Sequence, residues 1–311
     1  MECYKSIVYS IDTFRKIDEI FKTPDKCVVI WSSYGLIVMH AFYEITPEED
    51  EMVYYNPSIR KYWSIPPCPC FTLIFRPGFA LSTNDYKVVA FDYSEFSIVI
   101  YSSNDNLWRI KDRSDAHVRG LLSYNDGDEF YCKGSMYWLG FEKDKPRGVH
   151  NHLVSFDYDS EEFIFVDLPD ALRQPGLVKI NFVLGESIAI FAMSSDRACI
   201  WVLVEYGGDK SKSWRLWYTG DSNSKALQFL TTSIRTKIFD VDKNTFFVFN
   251  RDRLYSYNFR SHRIQHLEDY NDGHMYFDIY MESLVLHKRN QRKILTYHDE
   301  DGDERTKLVR V

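Results

Sequence analysis

The stretch Ile98-Val99-Ile100-Tyr101-Ser102-Ser103-Asn104-Asp105-Asn106-Leu107-Trp108-Arg109-Ile110 decides the fold. Its first four residues are β-branched or aromatic, side chains that fit a pleated, half-buried surface. With Phe96 just upstream, Ile98 and Ile100 fall on one face of an extended chain. The next five residues carry short polar side chains that bond their own backbone and so favour a turn. Leu107-Trp108-Arg109-Ile110 then resumes the extended pattern. The unit is strand, polar turn, strand.

That unit recurs along the whole chain. Upstream stands Met52-Val53-Tyr54-Tyr55, a turn at Asn56-Pro57-Ser58, then Lys61-Tyr62-Trp63-Ser64-Ile65. Downstream come Leu153-Val154-Ser155-Phe156 with Glu162-Phe163-Ile164-Phe165-Val166, then Ile200-Trp201-Val202-Leu203-Val204 with Ser213-Trp214-Arg215-Leu216. Leu254-Tyr255-Ser256-Tyr257 with Arg263-Ile264-Gln265-His266-Leu267 is the fifth copy. Between Tyr54, Ile100, Ser155, Val202 and Tyr255 the steps are 46, 55, 47 and 53 residues. Propeller blades repeat at about 40–50 residues.

A further strand pair precedes most of these hairpins: 28–31 with 36–40, 130–133 with 136–141, 181–184 with 188–193, and 236–240 with 246–249. Two hairpins per period make a four-stranded blade. A sixth period is expected over 275–297, with the strand 5–9 pairing to it and closing the ring. The expected fold is therefore all-β, a kelch-like β-propeller of about six four-stranded blades. A large β-sandwich also has short strands at regular spacing, and the period near fifty favours the propeller. Helical signals are confined to two places. Ile11, Phe14, Ile17 and Phe21 have helix-like spacing behind Asp12, and 169–172 reads as one helical turn.

Composition agrees with a sheet protein. Aromatic residues make up 16% of the chain, which favours strands. The formal net charge is −7, which weakens bulk attraction to phosphate backbones and anionic lipid. Neither nucleic acid nor membrane is an expected partner. Six scattered cysteines do not form a secreted disulfide framework. The N-terminus lacks the apolar stretch of a signal peptide, and the longest apolar run, 188–193, is too short to span a bilayer. Cytoplasm or nucleus is the expected compartment.

Several segments match one known family in order. Trp31-Ser32-Ser33-Tyr34-Gly35-Leu36, Tyr55-Asn56-Pro57-Ser58-Ile59-Arg60-Lys61-Tyr62 with Ile65-Pro66-Pro67, and Asn84-Asp85-Tyr86-Lys87-Val88-Val89 are the first three. Val99-Ile100-Tyr101-Ser102 with Trp108-Arg109, Gly134-Ser135-Met136-Tyr137-Trp138-Leu139, Ser155-Phe156-Asp157 with Leu168-Pro169, and Ile200-Trp201-Val202 with Ser213-Trp214 follow. The set resembles the F-box-associated domain of plant F-box proteins, including the F-box/kelch and S-locus F-box groups. The Asn-Pro-Ser-x-Arg-Lys piece is the most specific, and Tyr34 stands where the family usually has Asn. The resemblance implies a propeller that binds a target protein for a cullin–RING ubiquitin ligase. In the family an N-terminal F-box docks a Skp-type adaptor. Residues 1–24 resemble the linker that follows an F-box, so the adaptor dock is expected to be absent. The expected organisation is a segment 1–24, a propeller 25–297 and a polar tail 298–311.

Residues that suggest chemistry read more simply as structure. His150-Asn151-His152 has no metal-site context and reads as a loop. Cys68-Pro69-Cys70 lacks the second pair a zinc site needs. Asp299, Asp301 and Asp303 alternate like a calcium loop, but Gly302 falls at the fourth position and Arg310 at the twelfth, where Glu belongs. Glu48-Glu49-Asp50-Glu51 reads as a solvated loop, and one Gly207-Gly208 does not make a kelch array. Trp63, Trp108, Trp138, Trp201 and Trp214 read as blade core. No catalytic residue, cofactor or metal ligand is expected. The expected role is non-catalytic protein recognition by loops at one face, 46–51, 112–126, 142–151, 207–213 and 220–225. A propeller hydrolase or lyase with a polar central site is the alternative.

Overall fold

The computed structural model describes residues 5–9, 16–22, 27–33, 35–41, 51–56, 59, 61–69, 75–92, 97–111, 129–140, 151–174, 176–206, 211–221, 237–240, 244–250, 253–258, 260–261, 263–269, 291–298 and 304–310. The chain divides into two compact units, Met1–Arg113 with Asp278–Val311, and Ser114–Phe277.

In the first unit, β1 (Lys5–Tyr9) pairs antiparallel with β2 (Lys16–Lys22). The partner of β1 is thus its own neighbour and not a last blade. β2 also replaces the helix-like reading of Ile17 and Phe21, while 11–15 lie outside the described residues. A meander follows: β3 (Cys27–Ser33), β4 (Leu36–Ala41), β5 (Glu51–Asn56) and β6 (Lys61–Ile65). The next meander is β7 (Phe75–Ala80), β8 (Asp85–Asp92), β9 (Ser97–Ser102) and β10 (Leu107–Lys111). All six residues of β9 are buried, whereas β10 is largely exposed. Two sheets packed face to face produce that gradient. Tyr54 of β5 lies 5.6 Å from the Tyr86 ring of β8, and Trp63 of β6 lies 6.3 Å from it.

The second unit holds three four-stranded meanders. They are β11 (Phe130–Cys132), β12 (Ser135–Gly140), β13 (His152–Asp157) and β14 (Glu162–Asp167); then β15 (Val178–Leu184), β16 (Ser187–Met193), β17 (Arg197–Tyr206) and β18 (Ser211–Asp221); and then β19 (Lys237–Asp240), β20 (Thr245–Asn250), β21 (Arg253–Asn258) and β22 (Arg263–Asp269). Asp170–Leu172 forms a single 3-10 turn, as the sequence suggested. The middle sheet is buried on both faces. Ile180, Phe182 and Leu184 pack with Phe246, Val248 and Tyr257 of the sheet that follows. Ile188, Ile190 and Leu203 pack with Tyr137, Leu139 and Leu153 of the sheet that precedes. Each such side chain contributes about 1.5–3 kcal/mol on burial. The first strand β15 lies against the first strands β11 and β19 of the sheets on either side. That is the packing of successive blades inside the unit.

The blade count needs correcting. The described residues form five blade-like sheets, not about six. The end of the expected sixth period falls in β23 (Gln291–His298), which pairs with β6 through Gln291↔Trp63 and Arg292↔Tyr62. With β24 (Glu304–Arg310) it extends the first sheet to six strands. A hairpin that finds an open sheet edge satisfies its backbone there and founds no new sheet.

Candidate protein-recognition surface

An antiparallel meander sorts its connections by parity. First-to-second and third-to-fourth turns lie at one end of a sheet. Second-to-third loops and the exit to the next sheet lie at the other.

At the first end the turns are short and tied together. The last residue of the third strand is Ser102, Asp157 and Asn258 in three of the sheets. Asp157 Oδ1 accepts from the Asp159 and Ser160 amides and the Ser160 hydroxyl at 2.7–3.0 Å. Asn258 Oδ1 accepts from the Arg260 and Ser261 amides and the Ser261 hydroxyl at 2.9–3.1 Å. The two turns match bond for bond, because an Asx side chain stands in for a backbone turn. Each also bonds a hydroxyl on the paired second strand: Ser135 donates to Asp157 at 3.3 Å, and Asn258 Nδ2 donates to Thr245 at 3.1 Å.

The sheet β7–β10 reverses the roles. Buried Asp85 accepts from Ser102 Oγ at 2.7 Å, Ser103 Oγ at 2.9 Å and the Asn104 amide at 3.0 Å. Tyr101 donates its hydroxyl to Asn106 at 3.0 Å, and burial, then the Asp85 charge, holds that phenol above its usual range. These carboxylates are occupied with holding turns. Lys133 and Gly134 both take positive φ, of 47° and 83°, so the two-residue turn they form matches the strand twist.

The second end carries the expected loops 46–51, 112–126, 142–151 and 220–225, as second-to-third or exit connections. Loop 207–213 joins the third strand β17 to the fourth strand β18, so it belongs at the opposite end of its sheet from 220–225. That corrects its grouping with the others. Residues 46–50, 112–126, 142–150, 207–210 and 222–225 lie outside the described residues.

Around the start of β13 and the end of β14 the structure places a polar cluster. His152 Nδ1 lies 2.9 Å from Asp167 Oδ1, and Arg173 reaches Asp167 at 3.9 Å and Asp170 at 3.5 Å. Asp167 and Asp170 are well exposed, so these pairs are worth about 0–1 kcal/mol each. Asn151 is buried, and its backbone links the ends of β12 and β14: its amide donates to Gly140 and its carbonyl accepts from Leu168. Within the His-Asn-His triplet, His152 and Asn151 are thus structural, while His150 lies outside the described residues.

Of the five tryptophans expected in the core, two are buried there, and Trp108, Trp201 and Trp214 are only partly buried. Trp138 is fully buried and Trp63 nearly so. Trp108 and Trp214 do a further job. Trp108 Nε1 donates to the Pro66 carbonyl at 2.7 Å, and Trp214 Nε1 donates to the Asp167 carbonyl at 2.8 Å. Each indole therefore stitches the fourth strand of one sheet to the end of the fourth strand of the sheet before it.

Sequence reasoning missed Lys179 on β15. It is 7% exposed, its Nζ has no hydrogen-bond partner among the described residues, and burial pushes it down to about 8. A lysine in a strand whose one other polar residue is Asn181 was the only sign of it. No group of three or more His, Cys, Asp or Glu side chains that could hold a metal occurs among the described residues. Asp299, Asp301 and Asp303 lie outside them, as does Cys70. Cys68 is partly exposed beside exposed Pro69. No described helix is long and apolar enough to cross a membrane.

The comparisons with known proteins agree with the geometry. The profile of a family described as "F-box associated beta propeller domain" matches residues 32–286. The F-box protein At2g07140 of Arabidopsis thaliana is 28% identical over 134 residues, which cover 42% of this chain and 34% of that protein. The F-box/kelch-repeat protein At3g44120 of the same plant is 27% identical, with the same coverage. The probable F-box protein At5g47300 is 26% identical over 214 residues, 66% of this chain and 48% of that protein. The chain thus spans a third to a half of the length of these relatives.

Proposed function

This chain belongs to the F-box-associated beta propeller family, and on that premise we propose that it is the target-recognition module of an F-box-type ubiquitin ligase receptor, acting in the cytoplasm or nucleus. It contributes a shaped surface and no catalytic group. The observation that carries this reading is the asymmetry between sheet ends. Buried Asp85 and its counterparts Asp157 and Asn258 are spent on holding turns, whereas the longer connections leave each sheet from its other end. Loops on a rigid scaffold vary without disturbing the core and are where binding residues concentrate.

The test is affinity capture of the intact chain from plant extract, with the Skp-type adaptor and cullin assayed in the eluate. A target that is retained by the wild type and lost when 142–150 is exchanged supports the reading. Retention that no exchange at 112–126, 142–150 or 222–225 alters overturns it. Stoichiometric adaptor in the eluate makes the chain a working ligase receptor. A target without adaptor makes it a recognition module alone.

A further inference from the structure

In the sheet β3–β6 the outer strand β6 is not left open. The hairpin β23–β24 of the same chain adds to it, through Gln291↔Trp63 and Arg292↔Tyr62. The neighbouring sheet of the same unit ends on β10, the equivalent fourth strand, and β10 is the edge of its sheet among the described strands. An edge strand presents a row of backbone donors and acceptors to any extended chain that lies beside it. This repeat position has therefore accepted an added strand once within the molecule.

Four outer strands lack such a cover among the described residues: β10, β14, β18 and β22. β18 and β22 carry register shifts in their ladders with β17 and β21. Bulges of that kind twist an edge away from further pairing. β10 pairs with β9 without a break from Leu107↔Ser102 to Lys111↔Ile98. It also carries Leu107 and Ile110, 66% and 68% exposed, the most exposed large apolar side chains among the described residues. Regular β14 bears acidic ends, Glu162 and Asp167, and less exposed apolar groups. β10 is the better template.

Its side chains also specify the incoming strand. By period two, Leu107, Arg109 and Lys111 share one face, and Trp108 and Ile110 share the other. Trp108 packs against Tyr101 at 5.5 Å, so Ile110 stands on the face that the preceding sheet covers in part. We propose that the β10 edge is a strand-addition site for an extended segment of a partner protein in which acidic and aliphatic residues alternate. Acidic side chains fall beside Arg109 and Lys111, and aliphatic ones fall beside Ile110. Each matched cross-strand pair is worth roughly 0.2–1 kcal/mol beyond the shared backbone bonds. The inference rests on the recognition reading in taking the partner to be a protein.

The experiment uses the intact chain and a short synthetic peptide alternating Glu and Val, with a Lys/Val peptide of the same length as control. Hydrogen exchange followed by mass spectrometry should show residues 107–111 protected by the Glu/Val peptide and not by the control. Arg109→Glu should weaken binding about tenfold, roughly 1.4 kcal/mol, and Ile110→Lys should weaken it too, with melting curves showing both variants folded. The exchange map of the unmutated chain decides the matter even if a variant fails to fold. Protection elsewhere, no protection, or equal binding of both peptides overturns the proposal and leaves the two cations with the role of keeping the edge solitary. The recognition reading fails separately, on the extract capture.

Discussion

The turn ends of three sheets and the loop end of β11–β14 are held in different ways, although the short connection 194–196 at the loop end of β15–β18 is itself tied by Ser194. At the turn end, a few atoms carry a large share of the order: Asp85, Asp157 and Asn258 collect their turns' amides and hydroxyls within two or three residues of sequence or across a paired strand. At the loop end of β11–β14 the side-chain pairs are solvent-exposed, as Arg173 with Asp170. Sequence change should therefore be costly at one end and cheap at the other, and the difference can be measured.

The largest effect is expected at Asp85. Asp85→Ala leaves the buried Ser102 and Ser103 hydroxyls and the part-buried Asn104 amide without their acceptor. Each orphaned buried donor costs about 1–3 kcal/mol, and relaxation recovers part of it, so the expected loss is about 3 kcal/mol. Urea unfolding should show a lower midpoint with an unchanged slope. A loss below about 0.5 kcal/mol would break the contrast between the ends at its strongest point.

Second comes Lys179, which belongs to neither end rule because it is a buried cation without a bonded partner among the described residues. Lys179→Met should stabilise the protein by about 2 kcal/mol at neutral pH, since an unsatisfied polar group is removed from the interior. The pH dependence gives a cleaner signature. Burial lowers the folded-state pKa to about 8, below that of an unfolded lysine. Between those two values the unfolded chain binds the extra proton, so wild-type stability rises with pH across that window. Below about 8 both states are charged, the slope from this group vanishes and the penalty is complete. In the Met variant the rise should be missing. A wild type whose stability is flat from pH 8 to 10 would show that Lys179 has found an acceptor.

A smaller loss is expected at Asn258, because Arg260 and Ser261 are exposed and water replaces the lost bonds. Asn258→Ala should cost about 1 kcal/mol, and Asn258→Asp should recover most of it, since Asp157 makes the same turn. Thermal melts of the pair test whether the two turns are interchangeable.

Much of this architecture was legible because it is local. Period-two alternation around Ile98 and Ile100, followed by Ser102 to Asn106, places a hairpin without tertiary information. The same holds for Asp157 and Asn258. The misread parts depend on distant pairing or on weak spacing. Lys16–Lys22 is a strand although Ile17 and Phe21 have helical spacing, because its ladder with β1 satisfies the backbone that a short helix would leave frayed. The strand Gln291–His298 joins β6, more than two hundred residues upstream, and nothing in its own residues names that edge. Loop 207–213 could have been placed correctly from strand counting alone. Its composition alone does not report which end of a sheet it occupies.

The smallest expected effect is the one that bears on function. Replacing 142–150 by a short Gly/Ser linker should change unfolding free energy by less than about 0.5 kcal/mol, as for surface changes away from caps and cores. The backbone bonds that brace this end, Asn151 to Gly140 and Leu168 to Asn151, lie just outside the replaced segment. Arg173 keeps Asp167 and Asp170 as partners. Equilibrium unfolding checks the stability, and retention of any target captured by the wild type checks the function. Intact stability with altered retention is what a rigid scaffold with interchangeable loops requires. A loss comparable to that of Asp85→Ala would mean that the loop end shares the stapled construction of the turn end, and the division of labour between the two would fall.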